Sequence, residues 1–291
     1  MFKRTLTLGY GVLAYTLFFA VFNYAIMFIG NIMVSPSLDS IGNSDTGLAL
    51  LIDIALLTAF ALQHSIMARP AFKRAWTKLI PEPVERSTYV LASTLMLGCI
   101  VYFWQPLGGV LWRVTDPLAV GILYSLFAAG WGILFLASFQ INHFDLFGLR
   151  QVWLYFRGKP YTPLAFKTPW LYRHMRHPLY VGLMIGLWAA PTMTVAHLVF
   201  ALLCTAYIFV GTRLEEKDLE NALPEYKQYK QEVPMFMPDI GKKKSQDIAL
   251  DSVLSKTSSP AAYNRRSNST SSQPIPIRIS SPRCSTSTCR D

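Results

Sequence analysis

Long stretches without a charged side chain constrain this chain more than any other feature. Four of them exceed 25 residues, namely 5–38, 87–112, 117–144 and 177–212. A fifth apolar run, 46–68, is interrupted only by Asp53. A helix that crosses a membrane needs about 20 consecutive apolar residues. The pattern therefore predicts several membrane spans.

The composition supports this interpretation and divides the chain in two. Hydrophobic residues make up 52% of the 291 residues and charged residues 15%, against about 25% charged in soluble domains. This excludes an ordinary soluble enzyme, a disordered protein and a collagen-like chain. From position 239 onward, however, Ser, Thr, Lys, Arg and Pro predominate. We therefore expect a membrane-embedded domain over residues 1–238 and a disordered cytosolic tail over residues 239–291.

The apolar runs predict an all-α fold, a polytopic membrane helix bundle. We expect four long transmembrane helices near residues 6–32, 48–68, 88–108 and 118–141, followed by a C-terminal helical hairpin over 178–212. Pro178 suits the first turn of a helix, and Pro191 is expected in the turn between the two arms of the hairpin.

The distribution of Lys and Arg predicts how the bundle is oriented. Residues 69–86 carry five of them and residues 150–176 carry six, whereas residues 33–46 carry none and residues 106–117 carry one. Cytoplasmic loops of membrane proteins are enriched in Lys and Arg. We therefore expect an integral membrane protein whose N- and C-termini are both cytoplasmic. The net charge of +10 follows from this bias, so membrane lipids are expected partners and a nucleic acid is not.

Most of the unusual polar residues are predicted at the same, cytoplasmic face of the membrane. They come from four separate segments: Gln63 and His64; Asn142, His143 and Asp145; His174, Arg176 and His177; and Arg213, Glu215 and Glu216. Polar side chains at membrane depth are costly and are usually functional. The alternative is that these side chains only anchor helix ends. Convergence from four segments favours a shared cytosolic pocket instead.

The most specific local string is RHPLYVG at residues 176–182. It places His177 at the positive N-terminal end of a helix, with Tyr180 on the first turn. The string RLEE follows at 213–216, and a segment rich in Tyr and Pro comes after it. Paired carboxylates, arginine, histidine and aromatic rings suit a zwitterionic cation that carries an adenine.

These motifs resemble those of the membrane-embedded isoprenylcysteine carboxyl methyltransferase superfamily. Three further strings, ALQHSIMAR at 61–69, ERSTYV at 85–90 and NHFDLFGLRQVW at 142–153, resemble one branch of it, the methanethiol S-methyltransferases that release dimethyl sulfide. The resemblance covers roughly residues 1–238. It implies that the cofactor is S-adenosylmethionine and that the substrate is a small volatile thiol.

The resemblance also implies which residues bind the cofactor: His177, Tyr180, Arg213, Glu215, Glu216, Tyr226 and Tyr229. Position at the inner membrane face makes His143, Asp145 and His64 candidate catalytic groups. A base among them would help to form the thiolate, which is a better nucleophile than the thiol. The alternative, an interfacial polar cluster that only closes helix ends, is as well supported. The His and Cys residues show no zinc-ligand spacing, so no metal is expected.

Two other functions stay open from the sequence alone. In the first, the protein would be a membrane methyltransferase whose acceptor is a prenylcysteine carboxylate or another thiol or amine. In the second, the chain would be a non-enzymatic membrane transporter or assembly protein. Binding of radiolabelled S-adenosylmethionine to the purified protein distinguishes the enzymes from the last of these. The sequence does not indicate an oligomeric state.

Overall fold

A computed structural model describes residues 1–42 and 45–237, and most of these residues form helices. The helices are α1 (Phe2–Gly30), α2 (Thr46–Ala68), α3 (Pro70–Trp76), α4 (Glu82–Phe103), α5 (Pro117–Ile141), α6 (His143–Leu146), α7 (Leu149–Phe156), α8 (Pro178–Trp188), α9 (Val195–Ala222) and α10 (Pro224–Glu232). Two short strands, β1 (Val110–Arg113) and β2 (Thr192–Thr194), pair antiparallel. The predicted tail, 239–291, lies outside the described residues.

Within these residues, five helices are long and apolar enough to cross a membrane, namely α1, α2, α4, α5 and α9. Large apolar side chains on them are exposed, among them Leu13, Leu51, Leu62, Leu126 and Phe139. Extensive exposed apolar surface of this kind is typical of contact with lipid. The protein is therefore a multi-pass membrane protein, and the prediction of an all-α polytopic bundle is confirmed.

The C-terminal hairpin is present, but its arms are unequal. The first arm, α8, has 11 residues and the second arm, α9, has 28. The second arm ends at Ala222 rather than at the predicted position 212. The charged residues after position 212 are good helix formers, and no helix-breaking residue follows until Pro224. The hairpin therefore contributes a fifth long helix, whose last turns lie beyond the apolar run.

The predicted bounds of the third long helix are displaced. It extends from Glu82 to Phe103 rather than from 88 to 108. Pro83 in its first turn and acidic side chains beside it stabilise an earlier start. At the other end, Pro106 disfavours a helical backbone at the residue before it, so the helix stops short.

Close packing of α5 on α8 fixes the start of α8, where the RHPLYVG string begins. A Cβ atom on Gly182 would lie 2.5 Å from the carbonyl oxygen of Gly130, and one on Gly130 would lie 2.7 Å from the carbonyl oxygen of Gly182. The two backbones are therefore in direct contact. Small residues allow such contact between membrane helices.

The basic segments meet at one end of the bundle, which we call the basic end and define by residues 69–86, 142–177 and 213–237. Arg86 Nε donates a hydrogen bond of 2.7 Å to the carbonyl oxygen of Leu146, and Arg69 pairs with Asp218 at 2.9 Å. These contacts join segments that are far apart in sequence. The convergence of polar segments at one end is thus present in the structure.

A separate buried cluster lies at the opposite end, beside β1 and β2. Asp39 Oδ1 accepts hydrogen bonds from the backbone and hydroxyl of Thr194 at 2.8 and 2.7 Å, and Oδ2 lies 2.8 Å from His197 Nδ1. The other ring nitrogen of His197 lies 2.9 Å from the carbonyl oxygen of Leu187. Burial raises the pKa of Asp39, but the hydrogen bonds from His197, Asn31 and Thr194 and the charge interaction with His197 together outweigh it, so the pKa falls below its usual value. The cluster ties the loop after α1 to the hairpin.

Candidate active site

A buried carboxylate organises the basic end. Glu216, on α9, is only 2% exposed. Its Oε1 accepts a hydrogen bond of 2.7 Å from Arg176 Nε and lies 3.0 Å from His177 Nε2, while its Oε2 lies 3.2 Å from Lys230 Nζ. A carboxylate this deeply buried is stable only when it is paired. Glu216 therefore links the start of α8 to α10 across α9.

Two partners of Glu216 also hold the segment that follows α10. The backbone N–H groups of Arg176 and His177 donate hydrogen bonds to the carbonyl oxygens of Pro234 and Met235, at 2.9 and 3.1 Å. The guanidinium of Arg176 reaches two further carbonyl oxygens at the end of α10. The chain from α10 to position 237 is therefore folded back over the start of α8.

Glu215 has a different environment from its neighbour. It is half-buried, and the hydroxyl of Tyr180 donates a hydrogen bond of 3.1 Å to its Oε2. In the part of the chain that the structure describes, no basic side chain pairs with it. Burial, together with the nearby charge of Glu215, raises the pKa of Tyr172 well above its usual value. Glu215 is thus a carboxyl group with acceptor capacity to spare, since Tyr180 is its only hydrogen-bond partner among the described residues.

Three tyrosine side chains lie near this carboxylate. Tyr89, Tyr180 and Tyr207 come from α4, α8 and α9, and each lies close enough to Glu215 to feel its charge. We call these three residues the tyrosine cluster. The hydroxyls of Tyr207 and Ser65 lie 3.0 Å apart, which holds the end of α2 against α9. A carboxylate among aromatic rings is an environment that favours a cation.

The other predicted cofactor residues lie around this centre rather than within it. Tyr226 and Tyr229 are 3% and 8% exposed and pack against Phe166, Leu219 and Leu223. The hydroxyl of Tyr229 donates a hydrogen bond of 2.6 Å to the carbonyl oxygen of Tyr172. Arg213 is exposed on α9, and its side chain makes no hydrogen bond or ion pair to the described residues.

His64, on α2, lies beside the tyrosine cluster. Its Nε2 is 2.8 Å from the hydroxyl of Tyr89, and its Nδ1 is 3.1 Å from the hydroxyl of Ser93. Its ring centre is 6.5 Å from that of Tyr207. Because Tyr89 and Tyr207 also neighbour Glu215, the structure brings His64 and Glu215 to the same region from different helices.

His143 lies elsewhere, between α1 and α5. Its ring is 2% exposed, its Nε2 lies 2.9 Å from the hydroxyl of Tyr15, and its Nδ1 lies 2.9 Å from the hydroxyl of Ser138. It stacks on Phe139 with ring centres 4.3 Å apart. Burial lowers the pKa of His143. Within the described residues, no polar contact joins it to either glutamate, and both ring nitrogens are already occupied.

Asp145 lies at the rim of a cavity of about 470 Å³ that opens at the basic end. It pairs with Arg150 at 2.8 Å and accepts a hydrogen bond of 3.3 Å from the hydroxyl of Tyr161. Burial and the charge of Asp145 raise the pKa of Tyr161. Arg86 and Lys73 also line this cavity.

Sequence reasoning missed two residues that connect these groups. The guanidinium carbon of Arg86 lies 5.0 Å from the ring centre of Tyr89, and Tyr89 contacts His64. Both belong to the ERSTYV string, but neither spacing nor charge marked them as site residues. No three His, Cys, Asp or Glu side chains of the described chain are placed to hold a metal ion.

Comparison with known proteins decides the family. The methanethiol S-methyltransferase of Crocosphaera subtropica is 54% identical over 242 residues, which cover 83% of this chain and 95% of that protein. The methanethiol S-methyltransferase of Mycobacterium tuberculosis is 44% identical, over 81% of this chain and 97% of that protein. The chain belongs to the methanethiol S-methyltransferase family.

Nurim of Rattus norvegicus is a more distant relative of this chain. It is 35% identical over 57% of the chain and 66% of Nurim. No family model and no solved structure matches the chain. Membership in a methyltransferase family requires a methyl donor. The described residues offer an anionic, aromatic environment at Glu215 and the tyrosine cluster, where a cationic donor would fit.

Proposed function

We propose that the protein transfers a methyl group from S-adenosylmethionine to methanethiol and releases dimethyl sulfide. One observation carries the proposal: the chain is 54% identical, over 95% of that protein's length, to a methanethiol S-methyltransferase. The chemistry of the basic end supports it independently, first for the donor and then for the acceptor.

The donor is proposed to bind at Glu215 and Tyr180. S-adenosylmethionine has a sulfonium cation, an ammonium, a carboxylate and ribose hydroxyls. Glu215 can accept hydrogen bonds from the ammonium or the hydroxyls, and tyrosine rings attract the sulfonium. Arg213, at the same end of α9, suits the carboxylate, and His177 lies at the start of α8 nearby. When bound, the donor supplies a methyl group activated by the positive charge on its sulfur.

Glu216, Tyr226 and Tyr229 are proposed to support this site from behind. The carboxylate of Glu216 already has three partners, so it has little capacity left for a ligand. Its ion pairs keep α10 and the following residues folded over the start of α8. The two tyrosines belong to α10 and pack against Phe166, Leu219 and Leu223. These residues therefore set the shape of the donor site rather than bind the donor directly.

On the acceptor side, His64 is the proposed general base. A small alkyl thiol is mostly protonated at neutral pH, and its thiolate is the stronger nucleophile. His64 lies among the side chains of α2, α4 and α9, next to the tyrosine cluster that would face the donor. A base at this position, half-buried among helices, would promote attack of sulfur on the methyl carbon.

His143 and Asp145 are proposed to act by positioning. His143 links α1 to α5 through its contacts with the hydroxyls of Tyr15 and Ser138. Asp145, on α6, is paired with Arg150 on α7 and holds the two short helices together. The carbonyl oxygen of Leu146 at the end of α6 accepts a hydrogen bond from Arg86 Nε, which places the guanidinium over Tyr89. The NHFDLFGLRQ segment would thereby shape the acceptor side.

We further propose that the basic end and both termini are cytoplasmic and that residues 1–238 form the methyltransferase domain. The excess of Lys and Arg at the basic end supports the orientation. Cytosolic S-adenosylmethionine would then reach the donor site directly. A family match over 242 residues supports a methyltransferase domain of about this length.

Headspace gas chromatography of cells that express the protein and receive methanethiol tests the proposal. Cells with the wild type are expected to release dimethyl sulfide, and cells with Glu215→Gln much less. Tyr102→Phe, a change at an exposed tyrosine of α4, is the matched control and should behave as the wild type. Carboxyl methylation of a prenylcysteine analogue without dimethyl sulfide would replace the acceptor. Failure to bind radiolabelled S-adenosylmethionine would argue for a non-enzymatic membrane protein.

A further inference from the structure

Tyr89 contacts His64, the proposed general base, through its hydroxyl. Tyr89 is 7% exposed, and its hydroxyl lies 2.8 Å from His64 Nε2. The second ring nitrogen of His64 lies 3.1 Å from the hydroxyl of Ser93. Both nitrogens are therefore engaged by hydroxyls. A proton from a bound thiol would therefore reach this imidazole through one of these two hydroxyls.

The hydrogen bonds are consistent with proton transfer in this direction. With the proton of the neutral imidazole on Nδ1, His64 donates to Ser93 Oγ, and Nε2 accepts the Tyr89 O–H. This tautomer is assigned from the partners. In it, Nε2 is ready to receive a proton, and the oxygen of Tyr89 keeps a lone pair for a second donor.

Arg86 favours transient negative charge on Tyr89. Its guanidinium carbon lies 5.0 Å from the centre of the Tyr89 ring. It is held there by the 2.7 Å hydrogen bond from Nε to the carbonyl oxygen of Leu146. A cation against the face of a phenol ring is attracted more strongly as the ring becomes negative. Arg86 therefore lowers the barrier for the phenol oxygen to pass on its proton.

Tyr89 also lies near the proposed donor site. It lies close enough to Glu215 and Tyr207 to feel their charges. The ring centres of His64 and Tyr89 are 5.1 Å apart, and those of His64 and Tyr207 are 6.5 Å apart. A two-heavy-atom thiol placed against the Tyr89 hydroxyl would thus lie near both His64 and Glu215, the carboxylate proposed to bind the donor.

We propose that Tyr89 is a catalytic residue that relays the proton of the acceptor thiol to His64, an inference that rests on the proposed function. The S–H bond of methanethiol breaks and its proton passes to Tyr89 Oη, while the hydroxyl proton of Tyr89 passes to His64 Nε2. The freed electron pair on the acceptor sulfur forms the new S–C bond. The bond from the methyl carbon to the sulfonium sulfur breaks, and its electron pair cancels the positive charge there. The net products are dimethyl sulfide, the demethylated donor and one proton on His64.

Tyr89→Phe tests the relay, with Tyr102→Phe on the same helix as the control because that side chain is 80% exposed. We expect Tyr89→Phe to lower kcat/KM for methanethiol on the order of 100-fold at neutral pH. Calorimetry should show unchanged binding of S-adenosylmethionine. The deficit should shrink as the pH rises, because more methanethiol is then already ionised in solution. A merely structural role of Tyr89 would give a deficit that is independent of pH.

A second substitution keeps the test decisive if Tyr89→Phe does not fold. His64→Gln should show the same pH-dependent deficit, and the double variant should be no worse than either single one, because groups that act as a unit are not additive. Full activity of Tyr89→Phe, or a constant deficit at every pH in both single variants, would overturn the relay. Absence of dimethyl sulfide from the wild type would instead overturn the proposed function, so the two failures are distinguishable.

Discussion

Glu215→Gln should mainly weaken donor binding, whereas Glu216→Gln should mainly weaken the folded state. Glu215→Gln keeps the size of the side chain and an acceptor for the hydroxyl of Tyr180, but it removes the charge. Loss of a charge-assisted hydrogen bond to a ligand costs about 1.5–3 kcal/mol. Since about 1.4 kcal/mol is tenfold in affinity, the dissociation constant for S-adenosylmethionine should rise about 10- to 100-fold. The midpoint of thermal unfolding should change little.

Glu216→Gln should mainly affect the folded state. The substitution leaves Arg176 and Lys230 without their buried counter-charge. Breaking a buried ion pair by removing one partner costs about 3–5 kcal/mol, which is a large part of the 5–15 kcal/mol that stabilises a typical protein. We therefore expect a marked fall in the unfolding midpoint, or too little folded protein to purify.

Calorimetric titration and thermal unfolding of the detergent-purified variants measure both effects. Glu225→Gln is the control, because it makes the same chemical change at an exposed position of α10. An unchanged dissociation constant for Glu215→Gln would remove that residue from the donor site. Equal loss of thermal stability in the Glu215 and Glu216 variants would refute the argument that the buried Glu216 stabilises the fold while the half-buried Glu215 binds the donor.

Three further predictions test the fold and its orientation. Gly182→Ala should cost about 1–3 kcal/mol of stability by thermal unfolding, whereas Gly132→Ala, whose new Cβ would meet no atom within 4 Å, should cost almost nothing; equal effects would contradict the close contact of α5 and α8. The folded-state pKa of Asp39 lies below the unfolded-state value of 3.8. The stability that ionised Asp39 contributes is therefore fully present above the unfolded-state pKa and is lost as the pH falls through the folded-state pKa. Below about pH 4 the wild type should lose more stability than Asp39→Asn. In a chain whose native cysteines are replaced, Thr115→Cys should react with an impermeant thiol reagent added outside the cell and Lys159→Cys should not; the reverse pattern would invert the topology.

The sequence predicts the apolar parts of this fold well and the helix ends poorly. A charge-free run long enough to span a membrane leaves little freedom in where the helix lies. The ends depend on local features that hydropathy does not register. Pro83 allows α4 to start six residues earlier than expected, and the charged residues after position 212 continue α9 because nothing interrupts them.

The sequence predicts the arrangement of the candidate site less well than it predicts the helices. Motif resemblance indicates Glu215 and Glu216 together, and adjacent residues on a helix point about 100° apart. Which of the two is buried depends on how α9 is rotated against α8 and α10, and hydropathy does not encode that rotation. The same holds for His143. Asn142 takes a left-handed backbone conformation, φ 90°, at the end of α5, and the ring that follows it faces Tyr15 on α1 rather than the glutamates.

The size of the proposed acceptor explains why rigid cross-links surround the tyrosine cluster. Methanethiol has two heavy atoms, so its binding energy is limited to about 3 kcal/mol at roughly 1.5 kcal/mol per atom. So little energy cannot reorganise a site, and rate must come from groups already held in place. Arg69 supplies such a constraint, because it pairs with Asp218 at 2.9 Å and donates to the carbonyl oxygen of Leu214 at 3.2 Å. These bonds join the end of α2 to α9 on both sides of Glu215. The helix that carries His64 is thereby fixed to the helix that carries Glu215, the carboxylate proposed to bind the donor. The proposed base and the methyl group would then meet in one geometry without help from the substrate.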